Sequence, residues 1–149
     1  MDPNNPIVKL CAAGIGEEMA GRREEAARLY RDAWVGRTSD YEACIAAHYV
    51  ARLQSTPLDV LHWNEEALRF AELANESELS QFFPSLYLNL GKSHEDLKNL
   101  ADAKKFYLLA DQAAGVLPDG EYAATVKRGI RNGLERVASG GEAATAQHA

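Results

Sequence analysis

The chain has 149 residues and a formal net charge of −6, about one domain's worth and too little for a separate cofactor domain. Its 46% hydrophobic and 26% charged residues argue against bulk disorder, and the acidic balance counts against a nonspecific nucleic-acid binder. Two cysteines make no disulfide framework, no apolar run approaches the roughly 20 residues of a membrane span, and the start Met1-Asp2-Pro3-Asn4-Asn5-Pro6 lacks the features of a signal peptide. The expectation is a soluble, cytoplasmic protein with no membrane partner.

In chain order, the long segments after a short extension (1–6) read as amphipathic helices. The first helix runs from about Ile7 to Ala20 and stops at Gly21. The second, Arg23 to Trp34, sets Ala26, Leu29, Tyr30 and Ala33 on one face and ends before Gly36. Thr38, Ser39 and Asp40 offer N-caps for a third, Tyr41 to Gln54. Thr56 before Pro57 opens a fourth, to about Leu73, with a capping hydroxyl followed by proline at the first helical position. The stretch Asn75 to Gln81 is ambiguous. A fifth helix covers Pro84 to Leu97 and a sixth Ala101 to Ala114. After the turn Gly115–Gly120, a seventh covers Glu121 to Val137. The small, polar stretch 139–149 reads as a disordered tail. Short links between long helices imply antiparallel hairpins.

The hairpins repeat. Gly14 precedes Ala26, Tyr30 and Ala33 as Gly91 precedes Ala103, Tyr107 and Ala110, and Ala67, Ala71 and Ala74 echo the second half. Small residues fit where two helix backbones cross closely, and an aromatic fills the gap beside them. The pattern, best in Leu90-Gly91 with Ala103, Tyr107 and Ala110, resembles the tetratricopeptide repeat. Ala46-Ala47 departs from it, and Ala47 lies twenty residues before Ala67 where twelve is the rule. That excess suggests about one added turn on each helix of the middle hairpin. The resemblance implies an all-α fold, a right-handed superhelix of three antiparallel hairpins (7–37, 40–75, 84–115) with a capping helix (121–138), in one domain over 7–138.

In that family the first helix of each hairpin lines a concave groove. The carry-over places His48, Tyr49 and Arg52 there from the third helix, Ser85, Asn89 and Lys92 from the fifth, and Arg128 and Arg131 from the seventh. The basic end suits a peptide with an acidic group or a free carboxylate. The lysine–asparagine clamp of some relatives is absent, since Cys11 and Ile15 stand at its first positions.

No histidine pair has the i, i+4 spacing of a helical metal site, and no nucleophile elbow, phosphate loop or zinc-protease motif occurs. His94 and both tryptophans read as packing residues, and Cys11 and Cys44 as structural thiols. The expected function is non-enzymatic: a protein–protein interaction module, without cofactor or metal, binding a peptide or partner segment. Two alternatives stand beside it. One is a small-molecule sensor or enzyme with a pocket around His48, Tyr49, Arg52, Asn64, Asn89 and Arg128. The other is a self-associating module, a homodimer through the first helix.

Overall fold

The computed structural model describes residues 1–75 and 77–148, with side chains through residue 140. The described residues form seven α-helices and two short 3₁₀ turns, with no strand among them. The chain divides into two compact units, Met1–Leu79 and Ser80–Ala149.

The first unit holds α1 (Pro6–Met19), α2 (Arg23–Gly36), α3 (Asp40–Arg52) and α4 (Pro57–Ala74), then a 3₁₀ turn over Ser77–Leu79. Three of these helices start where side chains satisfy orphan N–H groups. Asn5 Oδ1 accepts from the N–H groups of Ile7 and Val8, Ser39 Oγ from that of Glu42, and Thr56 Oγ1 from that of Asp59. Asn75, in the left-handed conformation with φ 48°, ends α4. α1 pairs with α2 and α3 with α4, and α3 also lies against α1 and α2. Consequently Tyr41 through Ala47 are all buried.

The middle hairpin corrects the expectation of a turn added to both helices. α3 has 13 residues, one fewer than α1 or α2, while α4 has 18. Ala47 sits eighth in α3, much as Gly14 sits ninth in α1, but Ala67 is eleventh in α4 where Ala26 is fourth in α2. The extra length therefore lies almost wholly at the start of α4, where Thr56 and Pro57 begin the helix early.

The second unit holds α5 (Phe83–Asp96), α6 (Leu100–Ala113), a 3₁₀ turn over Ala114–Val116 and α7 (Glu121–His148). α5 pairs with α6, and α7 packs on both. One core cluster joins Ala103, Tyr107 and Val137, with Leu88, Leu100 and Leu134 around them. A second joins Ala110, Ala114, Leu117, Ala123, Val126 and Ile130. The tail expected over 139–149 falls mostly on residues outside those whose side chains are described.

The links of hairpins α1–α2 and α5–α6 match in their backbone hydrogen bonds, 77 residues apart. Gly21 and Lys98, in the links, both have positive φ, 81° and 66°. Gly21 N–H donates to Glu18 O and Lys98 N–H to Glu95 O, both at 3.0 Å, while Arg22 and Asn99 N–H donate to Glu17 O and His94 O, both at 2.9 Å. The socket glycines are required. A Cβ on Gly14 would lie 2.7 Å from Tyr30 Cδ1, and one on Gly91 2.6 Å from Tyr107 Cδ1.

Candidate functional site

In the first unit, the end of α1 meets the end of α3. Arg52 donates to Glu18 through Nε at 3.0 Å and Nη2 at 2.8 Å, and Tyr30 Oη donates to the same carboxylate at 2.9 Å. Arg52 holds the Glu18 carboxyl below its usual range against the opposing effect of burial, with help from Tyr30. Tyr49 lays its ring on Tyr30 with centroids 5.4 Å apart, and His48 stands edge-on to Tyr49 at 4.9 Å. Desolvation, then the charge of Arg52, pushes His48 down to about 4, so it is neutral near pH 7.

The second unit repeats this arrangement. Tyr107 Oη donates to Glu95 Oε1 at 2.6 Å, and Arg136 donates to Glu95 through Nε at 2.9 Å and Nη2 at 3.2 Å. Burial raises the Glu95 pKa, but the bonds from Arg136 and Tyr107 outweigh it and leave the carboxyl below its usual range. Each unit thus has one clasp. A carboxylate from the first helix of a hairpin binds the tyrosine of the second helix and an arginine from the helix that follows.

The expected site residues fall into four groups. His48, Tyr49 and Arg52 come together, but as part of the first clasp and its aromatic backing. Ser85 and Lys92 are also engaged, Ser85 Oγ with Tyr122 Oη, and Lys92 Nζ with Asp96 at 2.7 Å on its own helix. Asn89 is half-buried on α5. Arg128 and Arg131 are exposed on α7, with no ion pair among the described residues.

Arg136 escaped the sequence reading. Its signal was the pair Glu18 and Glu95, each four residues after a socket glycine and each in need of a cation. Cys11 and Cys44 are free and buried, and desolvation pushes both thiols up to about 12, which makes them unreactive at neutral pH. Trp34 and Trp63 pack edge to face at 4.9 Å, with Arg37 stacked 3.6 Å over Trp34. The His94 ring stacks on Phe106 at 5.3 Å, nearly parallel. Among the described residues, no group of three or more His, Cys, Asp or Glu side chains is placed to hold a metal ion, and no helix is long and apolar enough to cross a membrane. No family model, curated protein or solved structure matches the chain.

Proposed function

We propose that the chain is a non-enzymatic protein-binding module built from hairpins of the tetratricopeptide type, and that α5 and α7 take an acidic segment of a partner protein. One observation carries the binding reading. Arg128 and Arg131 stand exposed on α7 with no ion pair among the described residues, in a chain whose net charge is −6. Cations left unneutralised in an acidic protein are the natural contacts for a carboxylate-bearing peptide, with guanidinium forks giving bidentate geometry. The duplicated hairpins support the repeat reading, because such arrays work by presenting one helix face per hairpin.

Arg52, engaged by Glu18, belongs to the scaffold in this reading. The test is affinity capture from the source cell with wild type and the double variant R128A/R131A, after matching thermal melts. Loss of captured partners in the variant is expected. Capture of the same partners in equal amount overturns the reading.

A further inference from the structure

α3 and α7 play the same part in their units, since each supplies the arginine that closes the preceding clasp. Setting Arg52 over Arg136 aligns Tyr49 with Gly133, Val50 with Leu134 and Leu53 with Val137. Val50 and Leu53 pack with Ala26 and Tyr30, as Leu134 and Val137 pack with Ala103 and Tyr107.

Beyond that shared face the two helices differ. In α3, Ala43, Cys44, Ala47 and Ala51 are buried, whereas their counterparts Lys127, Arg128, Arg131 and Glu135 in α7 are exposed. α3 is packed by α4 as well as by α1 and α2, while α7 is held by α5 and α6 alone among the helices of its unit.

The composition differs too. α3 has no glycine, but α7 has Gly129 and Gly133, and Gly140 and Gly141 further on. Each glycine costs a helix roughly 1 kcal/mol against alanine, and lone helices are marginal in water even with good formers. Yet these glycines permit the docking. A Cβ on Gly129 would lie 3.1 Å from Leu88 Cδ2, and one on Gly133 2.6 Å from Tyr107 Cε1. The residues that let α7 seat are the ones that weaken it once it is free.

We propose that α7 is a docking-dependent closing helix, stable only while Gly129 and Gly133 sit on Leu88 and Tyr107 and Arg136 is latched to Glu95. Its departure uncovers Leu88, Leu100 and Tyr107 and leaves Glu95 without its arginine. The result is an apolar slot with a carboxylate at one end. It fits a helix bearing two small residues four apart and an arginine three further on, and α7 is the occupant the chain supplies itself. This device does not depend on α5 or α7 binding a partner.

Hydrogen exchange read by mass spectrometry on the full chain tests it. In wild type, the amides of residues 121–138 exchange at least tenfold faster than those in the middle of α6, because α7 opens without global unfolding. Arg136→Ala speeds exchange in α7 several-fold further, and α7 still exchanges at least tenfold faster than the middle of α6. Gly133→Ala speeds α7 likewise, and should that variant fail to fold, Arg136→Ala carries the test. Exchange of α7 at the rate of α6 in wild type, or no acceleration of α7 in Arg136→Ala, overturns the proposal.

Discussion

The hydroxyl of Tyr107 donates to Glu95 Oε1 at 2.6 Å across the α5–α6 hairpin, twelve residues apart, and Tyr30 reaches Glu18 at the same spacing across α1–α2. Both carboxylates also take a two-nitrogen contact from an arginine on the following helix, Arg136 or Arg52. The tyrosine therefore fills its glycine socket with its ring and joins the ionic clasp with its hydroxyl.

Replacing Glu95 by Gln keeps the shape and removes the charge. The expected loss is about 1–2 kcal/mol in urea unfolding, the low end for hydrogen bonds to a charged group because Arg136 is half exposed. Acid has a related effect. Glu18 and Glu95 both hold their protons less tightly folded than unfolded. Their contribution is complete above the ordinary carboxylate pKa and is lost as pH falls through the lower folded-state value. As pH falls below the ordinary carboxylate range, Glu95→Gln should lose less stability than wild type. An equal loss in both would remove Glu95 from the acid response.

Gly14→Ala and Gly91→Ala each push a methyl into a buried tyrosine ring. Overpacking of this kind costs roughly 1–3 kcal/mol. Gly16→Ala is the control, because its Cβ meets nothing within 4 Å and the helix gains about 0.5–1 kcal/mol. Opposite signs for the two substitutions within α1, read from thermal melts, are the expected result.

Lys98 occupies with φ 66° the link position that Gly21 fills with φ 81°. A side chain in the left-handed region is strained, roughly 1 kcal/mol. Glycine relieves the strain but gives back some entropy in the unfolded chain. Lys98→Gly should stabilise by a few tenths to about 1 kcal/mol, and Gly21→Ala should destabilise by a similar amount. Chemical denaturation of both variants measures the pair.

His48 titrates at about 4 in the fold against about 6.5 for an unstrained histidine. The unfolded chain binds the extra proton first, so this group lowers stability as pH falls from about 6.5 to 4. His48→Gln should flatten the stability profile across that window and leave it unchanged above pH 7. A profile with the same slope as wild type would show that His48 does not drive it.

Much of the helical plan was legible from local signals. Thr56-Pro57 starts α4 and Gly21 ends α1 because capping and backbone preference act within a few residues. The sockets were legible as well, since a glycine sixteen residues before a tyrosine recurs in Gly14–Tyr30 and Gly91–Tyr107. The clasps were not. The family resemblance put Arg52 in the groove, but its guanidinium is committed to Glu18, 34 residues earlier. Arg136 finds Glu95 across 41 residues. Ion pairs at such separation depend on which helices become neighbours. Lys92 and Asp96 stand at i, i+4 spacing, a local pairing the groove reading left out.

By itself, the sequence determined the helices, their hairpin pairing and the small-against-aromatic contacts, because periodicity, caps and residue volume act locally. The tertiary structure decided which charges are spent and which remain exposed. It closed Arg52 and Arg136 into clasps, buried every residue from Tyr41 to Ala47, and left Arg128 and Arg131 on the open side of α7. The physical reason is that a helix face acquires its burial and its partners only when another helix arrives to cover it.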